Sequence, residues 1–336
     1  MRLTYQPFDL LLKHPFTIAK FSRTSTPIML VELHHEGYTG YGEASMVPYM
    51  GESFESAATF LSRVDVSQLQ YPFDFRSIIN YLDSIAPAQP AIKAAIDIAL
   101  HDLDGKLKNE PCWKLLGSEP ATMPVTSVTI GIDSREVIVQ KVKEAAHAKV
   151  IKVKLGRDSD RELIQTIRSL TDVPLYVDAN QGWTDRRQGL ELIYWLQEQG
   201  VELIEQPMPK ADIDGNAWIT EHSPLPVIGD EAVQRLADVK AAKGVYHGIN
   251  VKLMKSAGMF EAKQMNDAAR QLGLKVLIGC MSETSCATLA AAALAPQCDW
   301  ADLDGPFLTS NNPYKMPHFD NGKWLLTADA GLGLKK

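Results

Sequence analysis

The sequence predicts an α/β protein in which a (β/α) barrel follows an N-terminal α+β capping domain. From about Pro124 onward, short runs rich in valine and isoleucine alternate regularly with helical patterns. Short apolar runs of this kind are typical of parallel strands buried on both faces, and eight of them fit a barrel better than an open sheet. The part before Pro124 has a different pattern and therefore predicts a separate domain.

Eight predicted strands form the barrel, and amphipathic stretches between them predict the helices. No G-x-G-x-x-G motif follows a strand, so the sequence gives no support for dinucleotide binding. The predicted strands cover residues 125–130, 150–155, 175–180, 201–207, 225–231, 247–254, 275–280 and 299–306.

The N-terminal part predicts strands first and helices second. Residues 1–60 are β-rich, with a hairpin around Glu36-Gly37, and residues 75–117 are helical, with one long helix ending near Lys106–Lys108. We expect residues 1–118 to form the capping domain and residues 119–310 the barrel. The tail, about 311–336, is expected to return to the first domain or to close the bottom of the barrel.

Composition bounds the function and the surroundings of the protein. The chain has 336 residues, 45% of them hydrophobic, which is enough for a large core and more than one domain. A formal net charge of −7 and the absence of any dense Lys/Arg block argue against a nucleic-acid or membrane partner. Neither a secretory signal nor a membrane span is predicted. The four cysteines form no C-x-x-C pair, which favours a reduced, cytoplasmic protein.

Charged residues stand at the ends of consecutive predicted strands. Catalytic residues of (β/α) barrels lie at the C-terminal ends of the strands. Asp178, Glu205 and Asp230 end three adjacent strands at intervals of about one βα unit, so their carboxylates should converge on one point. Three converging carboxylates need a cation, and oxygen ligands without histidine or cysteine suit Mg²⁺ or Mn²⁺.

Lysines flank this predicted metal site. Lys152 and Lys154 lie two residues apart on the second strand and share its inner side, while Lys252 lies on the sixth strand. Strands two and six face each other across an eight-stranded barrel. A buried lysine beside a divalent cation has its ammonium form disfavoured and can act as a base. The arrangement predicts removal of a proton next to a carboxylate on one face and return of a proton on the other.

The strand-end motifs resemble those of the enolase superfamily, in its muconate-lactonizing subgroup. The motifs are K-V-K, D-A-N, E-Q-P, G-D-E and N-V-K-L-M-K-S-A-G, and residues 95–117 are similar to the helix that leads into the barrel of that family. The resemblance covers nearly the whole chain. It implies a modified TIM barrel of the (β/α)7β type and one Mg²⁺ per subunit, held by Asp178, Glu205 and Asp230. Use of a lysine base with Mg²⁺ is a general property of this superfamily.

The same resemblance assigns the lysines and points to a substrate class. It implies that Lys154 and Lys252 are the acid–base pair and that Lys152 helps to hold the substrate carboxylate. The motif D-L-D, with Asp302 and Asp304, resembles the dipeptide epimerases, in which such a pair holds the α-ammonium of the substrate.

Further positions match residues that surround the dipeptide in that family. Thr129 and Cys280 match positions that line the substrate, although Cys280 is as well explained as a small apolar filler. Residues 18–26 correspond to a specificity loop, in which Lys20 or Arg23 could pair with an acidic side chain. Residues 47–53 form a second capping segment. Together they favour L-Ala-D/L-Glu, a murein dipeptide, and leave the exact dipeptide, the choice of Mg²⁺ or Mn²⁺ and assembly into a homo-oligomer open.

Three other functions are compatible with parts of this pattern. The protein could epimerise other dipeptides, or catalyse β-elimination or cycloisomerisation as o-succinylbenzoate synthase does, in which case the D-L-D motif would have no role. A non-catalytic binding protein is disfavoured by the intact lysine pair. Among nearby charges, we expect Lys255 to point away from the barrel interior, Glu231 to support the ligands without binding the metal, and Asp160 to begin a helix as a solvated charge.

Overall fold

The computed structural model describes residues 1–18, 21–156 and 160–336. An antiparallel sheet opens the chain, in the order β1-β2-β3, formed by β1 (Arg2–Ile18), β2 (Phe21–His35) and β3 (Tyr38–Ser45). Glu36 and Gly37 connect the last two strands with φ values of 48° and 80°. Positive φ at both central residues is the geometry of a tight hairpin turn, so the predicted hairpin is confirmed.

Helices of the first domain pack on this sheet. They are α1 (Phe54–Leu61), α2 (Phe75–Ile85), α3 (Pro90–Lys108) and α4 (Cys112–Leu115). The long helix α3 ends where the sequence predicts, and it is buried over most of its length. It approaches β3 so closely that a Cβ at Gly40 would lie 2.0 Å from Ala99 O, and one at Gly42 would lie 1.9 Å from Ala95 O. Glycine at these two positions is therefore what lets the helix lie on the sheet.

The second part of the chain forms eight parallel strands in one sheet, in sequential order. A bridge between Thr126 and Ala301 joins its first and last strands, and each strand falls within its predicted window. The strands are β4 (Val128–Ile130), β5 (Ile151–Lys154), β6 (Leu175–Asp178), β7 (Val201–Glu205), β8 (Val227–Gly229), β9 (Gly248–Lys252), β10 (Lys275–Gly279) and β11 (Trp300–Asp302).

Among the described residues, seven helices connect these strands, and a short helix follows the last strand. The connecting helices are α5 (Arg135–Glu144), α6 (Asp160–Arg168), α7 (Arg186–Glu198), α8 (Ile213–His222), α9 (Leu236–Ala242), α10 (Met259–Gln271) and α11 (Ser285–Leu294). After β11 comes α12 (Gly305–Leu308), four residues long. The predicted (β/α)7β barrel with an N-terminal α+β cap is confirmed. The chain ends in a small hairpin of β12 (Phe319–Asp320) and β13 (Lys323–Trp324).

The barrel interior has an apolar lower layer and a charged upper layer. Tyr176, Leu203 and Ile228 are buried in one small cluster with two other interior residues. Because side chains of a strand alternate between its two faces, the residues two positions further along point the same way, above this layer. Those positions are Asp178, Glu205 and Asp230. The fold thus places the acids over an apolar floor.

Carboxylates of the first domain cap helices of the barrel. Asp97 of α3 accepts hydrogen bonds from the backbone N–H groups of Met259 and Phe260, at the start of α10. Glu43 of β3 accepts in the same way from Thr284 N, at the start of α11. Such bonds satisfy donors that a helix start leaves without partners, and here they also join the two parts of the chain.

The C-terminal tail touches both parts of the protein. Its Leu332 N–H donates to Asp102 of α3 at 2.8 Å, and the carbonyl of Gly322 accepts from Thr126 N–H, just before β4, at 2.8 Å. Among the residues described above, no helix is long and apolar enough to cross a membrane.

We expect Asp97→Ala to destabilise the fold by about 1–2 kcal/mol, because it leaves the N–H groups at the start of α10 without their acceptor. Thermal and urea unfolding would measure this. Asp267→Ala is the control, since Asp267 lies on the same helix and pairs with Lys263 at its partly exposed surface, so it should change stability by less than about 0.5 kcal/mol. Equal effects of the two substitutions would contradict the capping role.

Candidate active site

Three acids from adjacent strands meet at the C-terminal mouth of the barrel. Asp178, Glu205 and Asp230 are each at most 3% exposed, and one oxygen of each lies within 4.8 Å of the others. Strand register accounts for the convergence, because Asp178 pairs with Glu205 across β6 and β7. The predicted cluster of three acids is therefore present in the structure.

One oxygen of each acid is held by a donor that lies outside the cluster. These bonds fix the orientation of the carboxylates, as supporting hydrogen bonds do at metal sites. The bonds run from Asn180 N–H to Asp178 Oδ1 (2.9 Å), from Asn250 Nδ2 to Glu205 Oε1 (2.8 Å) and from Lys255 Nζ to Asp230 Oδ1 (2.6 Å).

The second oxygen of each acid faces a lysine of the barrel interior. The three ammonium groups balance the charge of the acids, and a metal ion would compete with them for the same oxygens. The lysines are at most 7% exposed. The contacts are Lys154 Nζ to Asp178 Oδ2 (2.6 Å), Lys152 Nζ to Glu205 Oε2 (2.7 Å) and Lys252 Nζ to Asp230 Oδ2 (2.7 Å).

The donor set fits a hard divalent cation. The cluster offers only carboxylate oxygens, and its three acids are buried and already oriented from outside. Mg²⁺ and Mn²⁺ prefer such ligands, whereas zinc sites usually include histidine or cysteine. Asp178, Glu205 and Asp230 would hold the ion. It would supply stabilisation for negative charge on a bound carboxylate.

The acids differ in how easily they lose a proton. Burial raises the pKa of Glu205 to about 8, and the charge of Asp178 adds to the effect. Burial would also raise the pKa of Asp178, but the ammonium groups of Lys154 and Lys152 outweigh it and lower this pKa to about 2. The pKa of Asp230 is likewise lowered against burial, by Lys252 and Lys255.

With Glu205 as one of the ligands, we expect metal affinity to rise with pH, because a carboxylate binds a metal ion in its ionised form. Below its raised pKa of about 8, Glu205 must release a proton before it binds the ion, so affinity should increase by up to about tenfold per pH unit and level off above that pKa. Calorimetry of Mg²⁺ binding in two buffers with different ionisation enthalpies would report the released proton. Affinity that stays constant from pH 6 to pH 8 would contradict this assignment.

The two predicted acid–base lysines line one cavity. Lys154 and Lys252 reach it from β5 and β9, and it holds about 490 Å³ of space not filled by protein atoms. We call it the site cavity. Thr129, Cys280, Asp302 and Asp304 also line it.

The two acids of the D-L-D motif have different partners. Asp302 accepts from Ser127 Oγ at 2.7 Å and pairs with Lys152 Nζ at 2.7 Å. Asp304 accepts from Thr129 N–H at 2.6 Å, with the Cys280 thiol 3.7 Å away, and these are neutral donors. Burial and the charge of Asp302 raise the pKa of Asp304 to about 6. The pair therefore carries more negative charge than Lys152 alone balances, which suits a cationic ligand group.

Both predicted capping segments reach the site cavity. Arg23 lines it, donates from Nη2 to Ser282 Oγ at 2.7 Å and lies 5.2 Å from the centre of the Phe16 ring. Tyr49 lines it as well and donates to Met281 Sδ at 3.3 Å. Lys20, the alternative to Arg23, lies outside the described residues.

Two expectations about nearby charges are wrong. Lys255 does not point away from the interior, because the chain leaves the strand at Lys252 and turns, and its ammonium also donates to the carbonyls of Asp230 and Asn250. Asp160 is not solvated but 6% exposed, and it accepts from Gly156 N–H. Side chains alternate between two faces only within a strand, so this alternation does not predict the direction of Lys255, which lies beyond the end of β9.

Of two further groups that support the three acids or their neighbours, the sequence did not predict Asn250 but did predict Glu231. Asn250 lies two residues before Lys252 on β9. The sequence pattern assigns no role to it, although a short polar side chain two residues from a predicted base is the available signal. Glu231 accepts from Asn180 Nδ2 at 3.2 Å and is not among the three converging acids. This placement agrees with the supporting position expected for it.

Comparison with known proteins places the chain in a family. Residues 7–117 match the N-terminal domain model of mandelate racemase / muconate lactonizing enzyme, and residues 136–335 match the model described as enolase C-terminal domain-like. An L-Ala-D/L-Glu epimerase of Bacteroides thetaiotaomicron is 52% identical over 100% of this chain and 88% of its own length.

Two solved structures share the whole architecture. The L-Ala-D/L-Glu epimerase of Bacillus subtilis, in a substrate-liganded complex, superposes with a TM-score of 0.93 at 25% identity over 99% of this chain and 98% of that one. A dipeptide epimerase of Enterococcus faecalis, complexed with Mg and L-Leu-L-Tyr, gives 0.90 at 31% identity over 99% of both chains. This chain belongs to the mandelate racemase / muconate lactonizing enzyme family of the enolase superfamily, as its strand-end motifs predict.

Proposed function

We propose that this protein is an isomerase that epimerises dipeptides at the α-carbon of the C-terminal residue, with L-Ala-D/L-Glu as its substrate. The observation that carries the proposal is the placement of Lys154 and Lys252 in one cavity, on different acids of the same carboxylate cluster. Two bases on opposite sides of a carbon acid can invert its configuration, which a single base does not do efficiently. The named relatives are dipeptide epimerases.

The two lysines exchange roles between the two directions of the reaction. As a neutral amine, Lys252 takes the α-proton from one face, and the ammonium of Lys154 gives a proton to the other face. The carbon has then inverted, Lys252 carries the extra proton and Lys154 has lost one. Exchange with solvent restores the starting protonation states. The reverse reaction uses the same groups in the opposite order.

The remaining groups hold the substrate at its two ends. Lys152 is proposed to contact the substrate carboxylate, because its ammonium lies between Glu205 and Asp302. Asp302 and Asp304 are proposed to bind the N-terminal ammonium. Two charged anchors at fixed separation favour a short zwitterionic peptide over a substrate without an amino group. A substrate of the o-succinylbenzoate synthase type would leave the two acids without a partner.

Arg23 is proposed to select an acidic C-terminal residue. Its guanidinium lies on the wall of the site cavity, beside Ser282, and a guanidinium binds a carboxylate through paired hydrogen bonds. This supports Glu as the C-terminal residue of the dipeptide. We propose Mg²⁺ as the ion, one per subunit, and a cytoplasmic role in the metabolism of murein peptides. Mn²⁺ is the alternative ion.

The proposal is tested by incubating the protein with Mg²⁺ and L-Ala-L-Glu in D₂O, and separately with L-Ala-D-Glu. We expect deuterium at the α-carbon of Glu and formation of the other epimer from each. N-acetyl-L-Ala-L-Glu is the matched control substrate, since it lacks the ammonium group, and should react far more slowly. Absence of α-deuteration of Glu in both dipeptides would reject the proposed function.

A further inference from the structure

The geometry points to a wall, formed by Phe16 and Leu308, that limits the N-terminal residue of the dipeptide to a small side chain. This inference rests on the proposed function and deepens it, because it names the feature that selects alanine at that position. Behind the wall lies a second cavity, which would accept a larger side chain if the wall were shortened.

Shared lining residues show which end of the site cavity the wall closes. On one side, Ile18, Tyr49 and Asn180 also line a cavity that reaches Asp230, so this side is the metal end. On the other side, the lining shared with a different cavity consists of Phe16, Thr129 and Leu308. We call that second space the side cavity. Because Thr129 N–H donates to Asp304, this side is the end of the D-L-D motif.

The first residue of a bound dipeptide must lie beside this wall. An ammonium bound to a carboxylate lies about 2.8 Å from its oxygen, and the α-carbon follows about 1.5 Å further on. With the ammonium on Asp304, the N-terminal side chain therefore starts within a few ångströms of Thr129 and Cys280, the neighbours of that acid. Phe16 and Leu308 are the carbon side chains that separate this position from the side cavity.

Both halves of the wall belong to regular secondary structure. The guanidinium carbon of Arg23 lies 5.2 Å from the centre of the Phe16 ring, and Lys154 Nζ lies 5.9 Å from it, on the side of the chemistry. Leu308 ends the short helix α12, which begins with Gly305-Pro306.

The side cavity has a partly apolar lining. Its apolar residues include Leu12, Val128, Ile130 and Ala145, and its charged or polar residues include Lys13, His14, Lys141, Glu144 and His147. This part of the fold is short of helix, because α12, with four residues, stands where a full barrel would place its eighth helix. Relatives of this fold have been solved with L-Leu-L-Tyr and with L-Arg-D-Lys, so the N-terminal residue differs among family members.

The test measures kcat/KM for a series of X-L-Glu dipeptides in which X is Gly, Ala, Val, Leu or Phe. Each extra methylene in a tight pocket changes kcat/KM by about 10- to 200-fold, so the unmodified protein should use L-Leu-L-Glu at least about 50-fold less efficiently than L-Ala-L-Glu. Leu308→Ala should reduce the ratio of kcat/KM for L-Ala-L-Glu to that for L-Leu-L-Glu by at least about tenfold, because it opens the wall. Phe16→Leu, which shortens the other half, should shift the ratio in the same direction.

Leu12→Ala is the matched control. Leu12 lines the side cavity but not the site cavity, so this change enlarges the space behind the wall and should leave the ratio unchanged. The inference is overturned if the unmodified protein uses both dipeptides equally, or if neither wall variant changes the ratio. It is also overturned if both wall variants lose all turnover, since the wall is assigned to size and not to chemistry. Failure of the proposed function would look different: the unmodified protein would deuterate no dipeptide in the series.

Discussion

Replacing Lys252 with alanine should lower the rate of epimerisation of L-Ala-D/L-Glu by about 10²- to 10⁴-fold, the usual contribution of a positioned acid or base. Lys252 contacts Asp230, whereas Lys154 contacts a different acid of the cluster, Asp178. Loss of Lys252 should therefore remove proton transfer on one face of the substrate only. The variant should still exchange the α-proton of one epimer with solvent, without inversion, through Lys154. NMR of both epimers in D₂O measures inversion and exchange separately.

The reciprocal variant makes this test specific. Lys154→Ala should also stop inversion but retain exchange in the other epimer, because the remaining lysine faces the opposite side. Lys263→Ala, on the outer helix α10, should behave as the unmodified protein does. If Lys252→Ala left epimerisation unchanged, or if both lysine variants kept exchange in the same epimer, the two-base assignment would be wrong.

Replacing Asp230 with asparagine should lower Mg²⁺ affinity by at least about 100-fold, more than the loss typical of a supporting residue. Asp230 lies between two ammonium groups, with Lys252 on one oxygen and Lys255 on the other. An amide in its place removes the negative charge, and the two ammonium groups then repel an incoming cation. Calorimetry of Mg²⁺ binding without substrate measures the effect independently of turnover.

Glu231→Gln is the matched comparison for this prediction. Glu231 is adjacent in sequence but contacts Asn180 and lies outside the three converging acids. We expect Mg²⁺ affinity to fall by at most about 100-fold in this variant, as it does for other groups that orient a ligand. Loss of Mg²⁺ binding in Glu231→Gln, with normal binding by Asp230→Asn, would mean that the acids which hold the metal have been wrongly chosen.

The barrel and the converging acids were predictable because both follow from short-range periodicity. Each strand end in a parallel barrel faces the same mouth, so the spacing of Asp178, Glu205 and Asp230 along the chain is sufficient to bring them together. The hairpin at Glu36-Gly37 was predictable for a similar reason, since glycine tolerates the positive φ of the turn. These features need no knowledge of distant contacts.

The groups that orient the acids could not be predicted in the same way. Lys255 reaches Asp230 only because the chain turns after β9, and the position of that turn depends on packing around it. Asp160 is buried where it accepts from the indole N–H of Trp183, 23 residues further along the chain. Long-range partners of this kind leave no periodic signal in the sequence.

The wall of Phe16 and Leu308 illustrates the same limit. Phe16 comes from the N-terminal strand and Leu308 from the helix after the last barrel strand, almost 300 residues later. Each alone is an ordinary apolar residue, with no motif to distinguish it. Both line the site cavity, which Asp304 also lines, because of how the cap lies over the barrel, so the size limit on the N-terminal residue can be read only from the folded structure.

The most direct test of the two-base account is the origin of the proton in newly formed product. L-Ala-L-Glu would be converted in D₂O by the Mg²⁺-loaded protein, and the first few per cent of L-Ala-D-Glu would be analysed by mass spectrometry. The account predicts deuterium at the α-carbon of this early product, because the proton arrives from a lysine on the face opposite the one that lost it. Early product that retains the original α-proton of the substrate would show return by a single base and would contradict the roles given to Lys154 and Lys252.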